Sequence, residues 1–433
     1  MKKKKLTQLI AYLWTYIHSL KWILKKYSIF DQVAMIKSGG KRFFYDFLCV
    51  RNNYERVTKY LKKVKGERKI RVCFLVSETA KWNMQSLYDE LLKSNCYYPF
   101  IVVTNLKNLE NRPSYQHVLE FYRCMADNVE IGWDEQSKES IDLKIFSPDI
   151  VFYQQPWQIY ANQSVAYASR FALTYYISYS IENVFEAARP HLCDFYSLLN
   201  RYLVFSETYK FYYLSSCPFK LTNLVSIDGH PKLDIYADYR PSDYDHKYII
   251  YAPHHSFAEN SLKYGTFPWS GKFILKWAKT HQEINWVFKP HPKLKQSLVL
   301  DGIMSQSEVE EYYNEWAKIG LDYEDGNYFG LFKESRCLIT DCGSFLTEYL
   351  PTQMPVIHLR NKDSKEFSPT TTQIIDSYYK AYDLEELNKY FNEIILDRKD
   401  PLLEERKQIM KIIGLSKFDT KSSVIKIINR QLS

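Results

Sequence analysis

The chain lacks any cysteine pattern that would bind a metal ion or build a disulfide framework. It has eight cysteines among 433 residues and no CxxC pair. Several of them, such as Cys73 and Cys337, lie inside apolar runs that are typical of buried strands. They therefore predict reduced, buried thiols of a cytoplasmic protein. No two histidines have the HxxxH spacing either, and the sequence predicts no metal ion and no cofactor.

No apolar run is long enough to span a membrane. The best candidate is the helical pattern from Leu6 to Leu24, but His18 and Lys21 interrupt it, and a spanning helix needs about 20 apolar residues. No small-residue cleavage site follows it, which argues against a secretory signal. Because lysines flank the pattern, it predicts either a basic amphipathic helix on an anionic membrane surface or a helix packed on the protein's own core.

The sequence also lacks the marks of a nucleic-acid-binding or low-complexity protein. Its formal net charge of +8 is modest for this length, whereas a nucleic-acid binder concentrates basic residues on one face. The 37 tyrosines and 25 phenylalanines occur without an internal repeat, so they indicate large aromatic-rich cores. Two large domains with helical extensions are the simplest organisation for this length.

Short apolar runs alternate with helical patterns along two stretches of the chain. This alternation, from about 69 to 240, is typical of a parallel sheet with helices on both faces. A polar, proline-bearing segment at 238–243 predicts a linker, after which the same alternation restarts. The architecture predicted is therefore α/β, with two Rossmann-like, doubly wound domains facing a cleft. We expect the acidic insertion at 293–327, which holds Trp316, to cover part of the site.

Polar side chains follow two predicted strands of the second domain. His254, His255 and Ser256 follow the strand that ends near Tyr251, and at most one of the adjacent imidazoles is expected to face a ligand because side chains alternate in extended chain. Lys289 and His291 follow the next strand, each with a proline after it. Such a rigid turn presents a cation and an imidazole to a phosphate at little entropic cost. A solvated structural turn is the alternative.

A third turn joins a buried strand to a helix and predicts an anion site. Gly343 lets the backbone approach a ligand, and the amides near Ser344 would favour a diphosphate at the helix start. Glu348, one helical turn later, could accept a ribose hydroxyl or cap the helix locally. The candidate donor-binding residues are Lys289, His254, Ser256, Thr340, Asp341, Gly343, Ser344, Phe345 and Glu348.

The first domain offers weaker candidates. The turn at 226–234 contains Gly229 and His230, and we expect it to form a hinge and cleft edge without a proton-transfer role. Residues that follow two other predicted strands could contact an acceptor. They are Trp82 and Asn83 after the first strand, and Ser180, Glu182 and Asn183 after the strand near 172–177.

Four motifs, in this order, resemble the CDP-glycerol glycerophosphotransferase family, whose members build teichoic acids and related capsule polymers in bacteria. They are Gly-His-Pro-Lys-Leu-Asp at 229–234, Tyr-Ala-Pro at 251–253, Lys-Pro-His-Pro at 289–292 and Ile-Thr-Asp-Cys-Gly-Ser-Phe-Leu-Thr-Glu-Tyr at 339–349. The resemblance covers roughly 70 to 380 and is strongest in the second domain.

The resemblance implies a GT-B fold and peripheral attachment to the cytoplasmic membrane face. Combined with the alternation of strands and helices, it divides the chain into a basic helical membrane-associating extension (1–68), an acceptor domain (69–240), a nucleotide or donor domain (241–382) and C-terminal helices that are expected to pack back on the acceptor domain (383–433). The implied partners are a CDP-activated polyol, a membrane-linked or glycan acceptor and an anionic membrane surface, with no nucleic acid. The implied location is cytoplasmic, on the inner face of the cell membrane.

The implied reaction is attack of an acceptor hydroxyl on the β-phosphorus of the CDP-alcohol, with CMP leaving. The candidate catalytic residues are His291, which stabilises phosphate or acts as an acid, and His255 or Glu182 as the base. One departure concerns the first domain: polymerases of the family carry a Trp-His-Gly stretch there, and the corresponding region at 175–183 has no histidine.

Two other functions remain open from the sequence. One is a GT-B glycosyltransferase or epimerase acting on a nucleotide sugar in capsule or lipopolysaccharide synthesis, because a fold does not fix a function. The other is a non-catalytic, membrane-associated assembly protein that keeps the fold.

Overall fold

A computed structural model describes residues 40–106, 114–181, 195–196, 198–205, 207, 210, 223–227, 229–259, 261–322, 328–415 and 418–433. The predicted helix at 6–24 and the candidate residues Glu182 and Asn183 lie outside them. The chain divides into two compact units: the first holds residues up to 180, residues 186–234 and residues 419–433, and the second is mainly residues 235–418. In the part of the chain that is described, no helix is long and apolar enough to cross a membrane.

The first unit begins with a long helix and continues as alternating strands and helices. Helix α1 (Gly40–Val64) lies within the stretch predicted to be helical and basic. The helices that follow are α2 (Gln85–Lys93), α3 (Tyr115–Met125) and α4 (Val165–Ala168), with 3-10 turns at Leu143–Phe146 and Ala161–Gln163. The strands are β1 (Ile70–Val76), β2 (Tyr97–Val103), β3 (Val129–Ile131), β4 (Trp133–Asp134), β5 (Glu139–Ser140), β6 (Ile150–Tyr153), β7 (Leu173–Ile177), β8 (Arg201–Val204) and β9 (Leu224–Ser226).

Among the residues described, the first sheet has seven strands in the order β3-β2-β1-β6-β7-β8-β9. Every neighbouring pair is parallel. Helices cover both faces of such a sheet, so β1 and β6 are apolar and buried almost throughout. The chain leaves β1 in one direction and later returns to its other side at β6. That reversal is the topological switch point, outside which open α/β sheets bind ligands.

The second unit repeats this pattern. Its helices are α5 (Phe267–Thr280), α6 (Leu294–Leu300), α7 (Gln306–Ile319), α8 (Phe329–Glu334), α9 (Gly343–Tyr349), α10 (Pro369–Asp376), α11 (Leu384–Tyr390) and α12 (Leu403–Ile412). Short 3-10 turns lie at Pro231–Tyr236, which spans the boundary between the two units, and at Pro241–Asp243 and Leu350–Thr352, and a π-helical turn lies at Phe391–Leu396. The strands are β10 (Tyr248–Ala252), β11 (Asn285–Phe288), β12 (Leu321–Asp322), β13 (Ser335–Thr340), β14 (Val356–Leu359) and β15 (Tyr379–Ala381).

In the described part of this unit the strand order is β12-β11-β10-β13-β14-β15, and all neighbours are parallel. This is the doubly wound order in which three strands run outward on one side and three on the other. The switch point lies between β10 and β13. The residues that follow these two strands are the candidate site residues predicted from the sequence.

The acidic insertion at 293–327 was predicted to cover part of the site, but its tryptophan packs in the core. Residues 294–319 form α6 and α7, the connection between β11 and β12. Trp316 is fully buried and stacks on Phe288 of β11, with ring centroids 4.9 Å apart. The prediction that this segment covers the site is wrong for Trp316, because its indole ring is a core residue under the sheet.

The last helix, α13 (Thr420–Leu432), belongs to the first unit, whereas the long stretch before it, 235–418, belongs to the second. Its apolar side chains Val424, Ile428 and Leu432 are buried in the core around β1 and β2. Its N-cap residue Asp419 makes no side-chain cap. The Asp234 carboxylate accepts the backbone N–H groups of Thr420 (2.9 Å) and Lys421 (3.1 Å) instead.

Candidate functional site

Three histidine rings meet at the carboxyl ends of β10 and β11. The ring centroids of His254 and His291 lie 5.1 Å apart, and those of His255 and His291 lie 4.1 Å apart. The His291 N–H donates to the Pro253 carbonyl at 3.0 Å, which ties the two loops together. The two adjacent rings of His254 and His255 are themselves 4.6 Å apart. The prediction that only one of them faces the site is therefore wrong, because residues 253–257 form no extended strand.

Hydrogen bonds define the tautomers of two of these rings. His254 Nδ1 accepts the Ser256 N–H at 3.3 Å, and His291 Nδ1 accepts the Lys293 N–H at 3.1 Å. A neutral imidazole that accepts at Nδ1 carries its proton at Nε2. His230 of the first unit has the same tautomer, because its Nδ1 accepts the Lys232 N–H. Its Nε2–H also has a partner in the protein, since Nε2 lies 2.8 Å from the Ser178 carbonyl and must donate to it.

All three rings are held in their neutral form. Burial, reinforced by the neighbouring His255, lowers the pKa of His254 to about 3. Burial and Lys293 lower the pKa of His255 to about 4. Burial and the two other histidines lower the pKa of His291 to about 2. Near pH 7 the cluster therefore offers polarised N–H donors and one imidazole lone pair without any positive charge of its own.

The same cluster is the candidate metal centre among the described residues, since one ring nitrogen from each histidine lies within 4.8 Å of the others. A metal ion needs the lone pair of the nitrogen that binds it. The lone pairs at Nδ1 of His254 and His291 already accept backbone N–H groups, and their Nε2 atoms are then protonated. The hydrogen bonds therefore favour an anion that accepts Nε2–H groups over a bound cation.

Lys289 brings a positive charge to this edge of the sheet. Its side chain is buried, and its ammonium lies 4.9 Å from the Tyr328 ring and 5.4 Å from the Phe345 ring. Tyr328 Oη donates to the buried Glu348 carboxylate at 2.5 Å. The structure thus brings three of the predicted candidates close together: Lys289, Phe345 and Glu348. Tyr328 was missed, because it follows the acidic insertion directly and carries no recognisable motif.

Thr340 and Asp341 hold the loops rather than present their side chains to solvent. Asp341 is buried; one carboxylate oxygen accepts the His254 N–H, and the other accepts the N–H (2.6 Å) and hydroxyl (2.8 Å) of Thr266. The Thr340 hydroxyl donates to the Ala252 carbonyl at 2.6 Å and accepts the Cys342 N–H at 2.9 Å. Because these groups are engaged by the protein, we assign both residues to positioning.

Burial raises the pKa of Asp341 to about 6, although the hydrogen bonds from Thr266 and His254 act to lower it. Ser256 has a similar supporting place. Its Oγ lies 2.8 Å from His254 Nδ1 and accepts the Tyr264 N–H at 3.0 Å. It therefore orients the histidine ring.

Gly343 begins the short helix α9. A Cβ atom at this position would lie 3.2 Å from both Phe367 and Tyr264, so a larger residue would displace that stacked aromatic pair. Ser344 is half-buried, and its Oγ lies 3.3 Å from Cys342 Sγ. The first amides of a helix have no partner within the helix. With only seven residues, α9 adds little dipole, so the histidines and Lys289 carry most of the electrostatic attraction for an anion.

The first-unit candidates have different environments. Asn83 is buried; its Nδ2 donates to the Ser178 carbonyl at 2.6 Å, and its Oδ1 has no partner among the residues described. Trp82 donates to Gln85 at 2.7 Å and packs edge-on against core aromatics, which is a supporting role. Ser180 is half-buried at the end of a described segment. Lys81, which was missed from the sequence, directly precedes Trp82 in the same loop after β1.

Two Rossmann-like units of this kind define the class of fold called GT-B. No protein-family model matches the chain, and no curated protein matches it. Among solved structures, the chain is similar to the wall teichoic acid polymerase TagF, with 14% identity, a TM-score of 0.58, and 91% of this chain and 98% of that chain covered.

Two further similar structures were solved with a uridine nucleotide bound. The UDP-GlcNAc 2-epimerase from Neisseria meningitidis, bound to UDP-GlcNAc, is 15% identical with a TM-score of 0.54, covering 84% of this chain and 100% of its own. MnaA from S. aureus, solved with UDP, is 13% identical with a TM-score of 0.52, covering 84% and 97%. Identity this low shows the fold alone, and the predicted GT-B-like α/β fold is confirmed.

Proposed function

We propose that this chain is a transferase that moves glycerol phosphate, or a related polyol phosphate, from a CDP-linked donor to a hydroxyl of a cell-surface glycan or lipid-linked acceptor, releasing CMP. The observation that carries the proposal is the cluster of His254, His255, His291 and buried Lys289 at the switch point of the second unit. The fold shared with TagF supports it, as do the sequence motifs at 251–253, 289–292 and 339–349.

The donor diphosphate is the ligand that suits this cluster. The Nε2–H groups of His254 and His291 donate to its oxygens, and Lys289 supplies one positive charge. Transfer of a phosphoryl group requires charge stabilisation and positioning more than covalent participation by the protein. Neutral donors fixed in a buried place meet that need without reorganisation during the reaction.

His255 is the proposed base. The acceptor oxygen forms a bond to the β-phosphorus while the bond from that phosphorus to the CMP oxygen breaks, and His255 takes the hydroxyl proton. Its pKa of about 4 is low for a base, but a bound diphosphate raises the pKa of a nearby imidazole toward neutrality. Glu182, the other candidate for this step, lies outside the described residues and stays a prediction.

The proposed place of action is the inner face of the cell membrane, reached through the basic extension at 1–68. Exposed lysines at 59, 62 and 63 on α1 support it, since each cation near an anionic membrane contributes about 1 kcal/mol. A chain without residues 1–30 should move from sedimenting with anionic liposomes to the supernatant. Equal sedimentation of both chains would contradict membrane attachment.

A second candidate function is transfer or epimerisation of a nucleotide sugar. The observation that favours it is the similar fold of the UDP-GlcNAc 2-epimerase from Neisseria meningitidis and of MnaA, which was solved with UDP. Incubation with CDP-glycerol and, separately, with UDP-GlcNAc tests the two against each other. Release of CMP supports the phosphotransferase, whereas UDP release or epimerised UDP-sugar without any CMP supports the second candidate. If His291→Ala leaves cellular polymer production unchanged, the chain acts as a non-catalytic assembly protein.

A further inference from the structure

The switch point of the first unit is built like that of the second. Gln154, directly after β6, accepts the backbone N–H groups of Ser77 (2.8 Å) and Glu78 (3.0 Å) and donates to the Glu78 carbonyl. It thereby fixes the loop after β1, as Asp341 fixes the loop after β10 in the second unit. A ligand of this open sheet would bind outside the carboxyl ends of these strands.

A lysine with four electron-rich neighbours lies in this place. The Lys81 ammonium contacts the Glu78 carboxylate at 2.5 Å and the Gln155 amide oxygen at 2.7 Å. It also lies 4.7 Å from the Trp157 ring and 5.1 Å from the Tyr179 ring. The two rings meet edge to face, at 88°. The five residues come from the loops after β1, β6 and β7, and we call them the Lys81 cluster.

The Lys81 cluster has the chemistry of a site for an uncharged, hydroxyl-rich ring. Lys81 and Glu78 form an ion pair, so neither presents an unopposed charge to an anion. Its ammonium, carboxylate and amide can instead donate to and accept from several hydroxyls. Half-buried Trp157 and Tyr179 provide rigid apolar surfaces with polar tips, which suit the C–H face of a pyranose.

Isolated ion pairs on a protein surface contribute little to stability. This pair is partly withdrawn from water, with side-chain exposures of 14% for Lys81 and 22% for Glu78. Gln155 is buried, and its Nε2 donates to the Trp157 carbonyl at 3.1 Å. The polar groups and the indole are therefore held in a fixed arrangement at the ligand-binding edge of the sheet, as a preorganised site requires.

We propose that the Lys81 cluster binds a neutral pyranose ring. Resting on the proposed function, this makes the acceptor a glycan that ends in an uncharged sugar rather than a polyol-phosphate chain.

Direct binding tests this without catalysis. Methyl β-glucopyranoside, methyl N-acetyl-β-glucosaminide and, as the anionic comparison, glycerol 3-phosphate are titrated into the full chain and followed by saturation-transfer NMR. We expect at least one glycoside to bind, Trp157→Ala and Lys81→Met to weaken it at least tenfold, and glycerol 3-phosphate to bind no more tightly to the wild type than to Lys81→Met. Trp133→Phe, at a buried tryptophan of the same unit, and Lys144→Met, at an exposed lysine, are the controls and should bind as the wild type does.

CMP release from CDP-glycerol, measured on the same samples, separates the two proposals. Glycoside binding without CMP release leaves the sugar site standing and overturns the proposed reaction. CMP release with no glycoside binding, or with equal binding in Trp157→Ala and Lys81→Met, overturns the sugar site and leaves the reaction standing. Tighter binding of glycerol 3-phosphate than of either glycoside, lost in Lys81→Met, also overturns the sugar site in favour of an anionic acceptor.

Discussion

The backbone N–H of His254 donates to the Asp341 carboxylate, and this bond joins the loops that follow β10 and β13 at the switch point of the second unit. The other oxygen of Asp341 accepts both the N–H and the hydroxyl of Thr266, where α5 begins. One buried carboxylate thus fixes three segments around the histidine cluster. The geometry of the proposed donor site depends on a residue that need not touch the donor.

Replacing Asp341 by Asn tests this positioning role. Asn places an N–H₂ group where one carboxylate oxygen accepts hydrogen bonds, so a buried donor of His254 or Thr266 is left unpaired, which costs about 1–3 kcal/mol. Urea unfolding should show that loss. Asp397→Asn, at a half-exposed carboxylate paired with Lys399, is the control and should change stability by less than about 0.5 kcal/mol. Equal stability of Asp341→Asn and wild type would refute the positioning role.

His291→Ala tests the proposed phosphate donor. Removing one fixed donor to a charged reacting oxygen typically lowers kcat by about 10²–10³-fold. We expect that loss in CMP release, with little change in the melting temperature. His281→Ala removes a histidine at the C-terminal end of α5 that pairs with Glu283 and should keep full activity. Loss of CMP release in both variants, or in neither, would argue against His291 as the phosphate donor.

The depressed pKa values of the three histidines predict the acid stability of the chain without ligand. Their folded pKa values, about 3, 4 and 2, lie below the ordinary 6.5, so the unfolded chain binds more protons as the pH falls below 6.5. Their contribution to stability is therefore complete above pH 6.5 and is lost progressively toward pH 4 and below. Lys293 and Lys289 lie close to His291 and oppose its protonation.

Asp341 has the opposite effect on how stability changes with pH, because its folded pKa of about 6 lies above the ordinary 3.8. Its contribution is complete below about pH 4 and is lost as the pH rises through 6, so it offsets part of the histidine effect. The urea midpoint should still fall between pH 7 and pH 4. The double variant His254→Gln/His291→Gln should show a shallower fall, and an unchanged pH profile would contradict the burial of neutral imidazoles.

The sequence predicted the fold because buried parallel strands leave a strong signal. Continuous apolar runs such as 70–76 and 150–153 cannot be half-exposed strands, and their alternation with helical patterns implies a doubly wound sheet. The polar residues after β10, β11 and β13 were predicted for the same reason. Short elements such as β15 and the β4–β5 hairpin have too few residues to show a periodicity.

Other features depend on tertiary structure that no local pattern carries. The Lys81 cluster unites three loops that are up to 100 residues apart, and each of its residues is unremarkable in its own segment. His254 and His255 lie in a loop that the Asp341 bond holds, so strand alternation does not set the directions of their rings. Trp316 lies in an acidic stretch, and its place in the core follows from the crossover helix α7.

The motif at 229–234 has a structural use that can be tested at Asp234. Its carboxylate caps α13 through the N–H groups of Thr420 and Lys421 and accepts the Ser86 hydroxyl at 2.8 Å. Loss of an N-cap costs about 1–2 kcal/mol. Asp234→Ala should therefore speed hydrogen exchange in the first turns of α13. Asp419→Ala, beside the same helix, should not, and equal protection in both variants would rule out the cap.

CMP release from CDP-glycerol tests the central claim most directly. Purified protein is incubated with CDP-glycerol and a methyl glycoside, and in parallel with UDP-GlcNAc, and the products are separated by anion exchange, with His291→Ala as the blank. We predict CMP and a phosphodiester-linked glycoside in the first mixture, neither product in the blank, and unchanged UDP-GlcNAc in the second. UDP or an epimerised sugar in the second mixture, with no CMP in the first, would contradict the proposed reaction.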